Sequence, residues 1–278
     1  MSALVVALAL SAALAHASWN AFLRSGADRL WVVTIMSLTM VLVALPFAVL
    51  LPFPPAQAWP YILLSSLLQA GYAFVLVAAY RHGELGQVYP VVRGTIPVMA
   101  TVGGFVFANE VLPATSLAGI ALIVGGIMGL TVGSGRMSGR ALLWALATGA
   151  LVALYATVDA LGVRHAGNPI AYSAWICLVY GALLMGAFLA VRGRLSINPR
   201  SLETRKAAGG GIVSLISYVL VVTAFSLGPT GPVMALRETS VVFAALIGAV
   251  FLKEALTRQR IASCILVTVG AVLIGLGN

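Results

Sequence analysis

A 34-residue stretch of this chain recurs, diverged but without a gap, 144 residues further on. Shifting Arg93 to Gly126 by that offset gives twelve identities: Arg93/Arg237, Thr95/Thr239, Val98/Val242, Ala100/Ala244, Gly104/Gly248, Val106/Val250, Phe107/Phe251, Glu110/Glu254, Leu112/Leu256, Ala118/Ala262, Leu122/Leu266 and Gly126/Gly270. Shared apolar composition alone gives fewer matches over such a window. A fixed internal offset means that the chain is built from two related units. We expect a first five-helix repeat over 1–135 and a second over 136–278.

The composition says what solvent those units meet. Of 278 residues, 61% are hydrophobic and 8% charged, which excludes an ordinary soluble domain. Apolar runs of about 20 residues are long enough as helices to cross the hydrocarbon core. Charge, Pro and Gly divide the chain into ten such runs, near 2–23, 31–51, 59–80, 86–107, 113–132, 140–160, 170–191, 208–227, 231–252 and 259–277. The expected fold class is therefore an all-α integral membrane protein with ten transmembrane helices. The first run lacks a basic leader and a small-residue cleavage site, so it reads as a retained helix. Pro90 and Pro97 are expected to break the fourth run, while Pro229 and Pro232 open the ninth. Cys177 and Cys264 have no metal-like spacing and read as core residues.

Charge placement sets the expected orientation. Thirteen of the sixteen Lys and Arg fall in alternate loops, from Arg24 and Arg29 through the Arg192–Lys206 segment to Lys253, Arg258 and Arg260. By the positive-inside rule these loops are cytoplasmic, with both termini outside. The net charge of +9 is thus an orientation signal and not a nucleic-acid footprint. The repeat offset covers five spans, an odd number, so the second copy is expected to enter the membrane in the opposite sense. The first spans of the halves align more weakly at a shift of 139, where His16 meets Tyr155 and Asn20 meets Asp159.

Few polar residues lie within the spans, and each needs a reason to be there. Arg93 and Arg237 lie several residues inside their spans, where an unpaired guanidinium costs at least ~2.5 kcal/mol. Such a group needs a counter-charge, backbone carbonyls or a wet cavity, and it grips carboxylate or phosphate through two hydrogen bonds. Both are candidate substrate-binding residues. The structural alternative is carbonyl capping or pairing with Glu238, Asp159 or Glu84. Glu238 and Asp159 are candidate coupling residues that load and release protons; Glu238 could equally belong to an ion pair. Glu238 and Arg237 are adjacent and do not share a helix face, so they can meet different partners. His16, Trp19 and Asn20 form a polar and aromatic patch at i, i+3 and i+4. Tyr80, Tyr89 and Trp175 are further candidates for stacking on a substrate, whereas Trp31, Trp59 and Trp144 suit interfacial belts. Glu110 and Glu254 end their spans and read as architectural carboxylates that cap the next helix or bind an adjacent base. No HExxH, GxSxG or Walker motif is present, so the chain is expected not to be an enzyme, and no cofactor is implied.

His16–Arg24 (HASWNAFLR), Pro90–Val98 (PVVRGTIPV) and the paired NEVL and KEAL at 109–112 and 253–256 resemble the EamA-type branch of the drug/metabolite transporter superfamily. The resemblance covers essentially the whole chain. It implies two inverted five-helix halves around a central cavity and secondary transport by alternating access. On that basis the expected function is movement of small polar or zwitterionic, amino-acid-like metabolites across the inner (cytoplasmic) membrane, by export. Alternatives are transport of organophosphate, phosphonate or nucleotide-sugar anions and, in another class, a non-transporting scaffold or sensor subunit. The expected partners are a small-molecule substrate, membrane lipid and a coupling proton.

Overall fold

The computed structural model describes residues 1–23, 28–132, 137–251 and 257–277, and every regular element among them is helical. The helices are α1 Ala3–Leu23, α2 Arg29–Leu50, α3 Trp59–His82, α4 Leu85–Ala108, α5 Ala114–Gly129, α6 Gly139–Ala166, α7 Pro169–Arg192, α8 Leu202–Leu227, α9 Thr230–Glu238, α10 Ser240–Phe251 and α11 Arg258–Leu276. Eight described stretches are long and apolar enough to cross a membrane, with α9 and α10 together counted as one of them. Ala3–Trp19 and Ala114–Gly129 are shorter apolar helices.

Local chemistry sets the ends. Asp28, Ser138, Asn168, Ser201 and Thr257 each accept a backbone N–H from the first turn that follows them. Gly167 (φ 71°) and Asn109 (φ 52°) terminate α6 and α4 in the left-handed region. These caps carry α6 six residues past the expected end at 160 and start α8 six residues before the expected 208.

The broken span is the ninth and not the fourth. Helix α4 runs unbroken through Pro90 and Pro97. The ninth span is interrupted at Thr239, where both the N–H (3.1 Å) and the hydroxyl (2.6 Å) donate to the Leu236 carbonyl. That tightens one turn and separates α9 from α10.

Packing follows the repeat. Helix α3 lies on α6 as α1 lies on α8, and matched helices also pack on each other: α2 on α7, α4 on α9 and α5 on α11. The α5–α11 contact depends on glycine. A Cβ at Gly119 would stand 2.6 Å from the Gly270 carbonyl oxygen, and one at Gly126 would stand 3.0 Å from the Ser263 oxygen. Under the 144-residue offset these two contacts exchange into each other. As α5 advances from 119 to 126, α11 recedes from 270 to 263, so the matched helices run antiparallel. The same reversal holds for α4 and α9, where Arg93 meets Glu238 and Thr101 meets Gly231.

Candidate functional site

A cavity of about 1040 Å³ occupies the centre of the bundle. It reaches the end where Gly86, Leu130, Thr257, Gln259 and Arg260 lie, which is also the end rich in Lys and Arg. The opposite end carries both termini, where the Met1 ammonium donates to the Gly277 carbonyl at 2.7 Å.

Arg93 and Arg237 come together here, one from each half, with His16 between them. Arg93 Nη1 donates to both carboxylate oxygens of Glu238, at 3.3 and 3.1 Å. Arg93 Nη2 lies 2.7 Å from His16 Nε2, and its guanidinium carbon sits 5.1 Å from the centre of the Tyr89 ring. Glu238 is fully buried and does not line the cavity, and among the described residues its carboxylate pairs with Arg93.

Arg237 is held differently. Its Nη2 lies 3.3 Å from His16 Nδ1. A neutral imidazole offers one acceptor nitrogen, and the shorter contact gives that acceptor to Arg93. The Nε of Arg237 is buried without a hydrogen-bond partner, and among the described residues no carboxylate lies within ion-pair distance of it. Adjacent positions 237 and 238 thus meet different partners.

Asp159 forms the second polar group of the cavity. Only 1% exposed, it accepts hydroxyl donors from Tyr172 (3.2 Å) on one oxygen and Tyr218 (3.0 Å) on the other. The sequence pointed to Asp159 but not to Tyr172. Tyr172 has no repeat counterpart that would mark it.

The remaining candidates divide. Trp19 lines the cavity and meets His16 edge to face at 5.1 Å, and Tyr80 and Tyr89 also line it. The side chain of Asn20 lies outside the described residues, as does Glu254. Trp175 does not line the cavity; it stands in an aromatic cluster 5.1 Å from both Phe53 and Trp59. Position along α7 suggested otherwise, but the helix turns that face toward α3 and the loop before it.

The sequence matches the EamA-like transporter family over residues 3–132 and again over 139–276. The chain belongs to that family. EamA proteins fall within the drug/metabolite transporter superfamily and are membrane transporters. The two matched stretches give the EamA repeat once in each half. No curated protein matches the chain. A solved structure described only as the crystal structure of a protein shares the fold, with a TM-score of 0.76 at 18% identity, covering 98% of this chain and 96% of that one.

Proposed function

We propose that this EamA-family protein is a secondary transporter of the inner membrane that exports small polar or zwitterionic metabolites carrying an anionic group. In this reading ten helices cross the bilayer as two inverted five-helix repeats, and the cavity is reached alternately from each side. The antiparallel packing of α5 on α11 and of α4 on α9 supports inversion, because matched elements run in opposite directions. The cavity extends toward the basic end, which the positive-inside rule makes cytoplasmic, and this suits loading of a cytoplasmic solute.

One observation carries the site assignment. Of the two matched arginines, Arg93 is neutralised by Glu238, while Arg237 lines the cavity with no carboxylate among the described residues in ion-pair contact and with a buried Nε lacking a hydrogen-bond partner. A substrate carboxylate would complete it through a bidentate, charge-assisted pair. Asp159, aligned by Tyr172 and Tyr218, would take the positive end of a zwitterion or the coupling proton. Trp19, Tyr80 and Tyr89 would shape the apolar remainder of the pocket. Glu238 then serves the ion pair, and the coupling role falls to Asp159.

The test is a thermal-shift screen of purified protein against amino acids, organophosphates, phosphonates and nucleotide sugars, since a ligand bound only by the folded state raises its stability. The expected hit is an amino-acid-like anion or zwitterion. Arg237→Gln should weaken that hit by about 2 kcal/mol, or roughly thirtyfold in affinity, the scale of a hydrogen-bonded charge. Binding unchanged in Arg237→Gln would remove the assignment. A hit confined to phosphorylated ligands would favour the anion-exchange reading instead.

A further inference from the structure

Glu110, Arg164 and Thr230, a polar cluster at the terminus end, do not line the cavity, yet they join the two halves. Asn109 turns left-handed after α4, and the Glu110 N–H donates back to the Gly104 carbonyl at 3.0 Å, which folds the Glu110 carboxylate over α4. Gly104 leaves the space for it, since a Cβ there would sit 3.0 Å from Glu110 Cδ. The carboxylate then accepts three donors from the second half: Arg164 Nη2 at 2.6 Å, the Thr230 N–H at 2.8 Å and the Thr230 hydroxyl at 2.9 Å. Arg164 also donates to the carbonyls of Phe225 (3.2 Å) and Gly228 (2.9 Å). Thr230 opens α9, so the negative charge also meets the positive end of that helix. Glu110 thus caps a helix of the other half, not the one that follows it in the chain.

At the basic end the described links between the halves are exposed and of another kind: Gln259 Nε2 donates to the Gly129 (2.7 Å) and Val132 (2.8 Å) carbonyls, and Trp31 Nε1 to the Ser196 carbonyl (3.0 Å). The pair there, Arg192 to Asp28 at 3.2 Å, has side chains 53% and 43% exposed, and such pairs contribute little. The cluster also has a mechanical link to the binding site. Helix α9 is a nine-residue rod with Thr230 at one end and Arg237 and Glu238 at the other, freed from α10 by the turn at Thr239.

We propose that Glu110, Arg164 and Thr230 form the gate that shuts the cavity at the terminus end, and that Glu110 releases Thr230 and Arg164 once per transport cycle. The proposal rests on the alternating-access reading above. A ligand drawn onto Arg237 pulls on the same short helix that the gate holds, which couples occupancy of the site to opening.

The test places a single cysteine at Ser214, a partly exposed residue of the cavity wall, in a Cys177→Ala, Cys264→Ala background. A membrane-impermeant methanethiosulfonate is applied to one face at a time. In the parent protein, modification should proceed from the basic face and be slow from the terminus face. Glu110→Gln and Arg164→Gln should each speed modification from the terminus face by about tenfold, the effect of losing one charged hydrogen bond. An unchanged terminus-face rate in both variants overturns the gate. If rates rise equally from both faces, packing has been lost and a second measurement decides. A Cβ at Gly104 would lie 3.6 Å from the Thr230 Cβ, within disulfide range. Oxidising Gly104→Cys/Thr230→Cys protein should stop substrate exchange in proteoliposomes, and reductant should restore it. Exchange that continues through a complete cross-link overturns the gate. Absence of exchange even in the reduced parent protein counts against the transport reading and leaves the accessibility result standing.

Discussion

Arg93 and Arg237 hold matched places in the repeat and have opposite electrostatic fates. The difference comes from one divergent position, since the second copy has Glu238 where the first has Gly94. Gly94 packs against the Met128 side chain and offers Arg237 no carboxylate of its own, whereas Glu238 reaches across to Arg93. Removing one partner of a buried pair strands the other charge, which costs about 3–5 kcal/mol, while replacing both with apolar residues is often tolerated. Glu238→Gln should therefore lower the melting temperature in detergent by several degrees, and Arg93→Met/Glu238→Leu should recover most of that loss. A melt unchanged by Glu238→Gln would mean that the pair contributes little. Both arginines were legible in the sequence because guanidinium is costly at bilayer depth. Which of them is neutralised was not, because that depends on how α4 docks on α9. Trp175 failed to reach the cavity for a similar reason: spacing gives depth along a helix, and only packing gives the face.

At the scale of elements, small residues determine how closely the helices approach. Between α5 and α11 a Cβ at Gly119 would meet the Gly270 oxygen at 2.6 Å and the Ile274 Cγ1 at 2.7 Å, and backbone cannot yield as a flexible side chain can. Gly125, in the same helix, has nothing within 4 Å of an added Cβ. Gly119→Ala should destabilise the protein by about 1–3 kcal/mol through overpacking, read as a lower melting temperature, whereas Gly125→Ala should be neutral. Equal melts for the two variants would show that α5 and α11 part without cost. The helices themselves were largely readable from apolar runs, because hydrocarbon demands a continuous apolar segment with its backbone satisfied internally. Their ends were less so. Caps such as Ser201 extend α8 into polar sequence that no apolar window registers. The prolines of α4 proved weaker breakers than the Thr239 hydroxyl, which competes directly for a carbonyl in its own helix.

For the whole molecule, the contact between Met1 and Gly277 puts both termini at one end of the bundle. A chain whose ends meet on one side crosses a membrane an even number of times. The ten crossings proposed above are such an even number. The ends of the bundle are also unlike in charge. The described basic residues of the alternate loops, among them Arg81, Arg192, Arg258 and Arg260, lie in the loops and helix ends opposite the termini, where an anionic cytoplasmic leaflet and the insertion machinery would hold them. The proposed orientation follows from this asymmetry, and it also assigns the faces of the cavity and gate. Reporter fusions in a bacterial host test it directly. Alkaline phosphatase joined at either terminus should be active, and a fluorescent protein that folds only in the cytoplasm should stay dark at both. Activity at one terminus only would break the even count. The reverse pattern at both termini would keep the fold but turn the cavity mouth outward, and export through loading at the basic end would then give way to uptake.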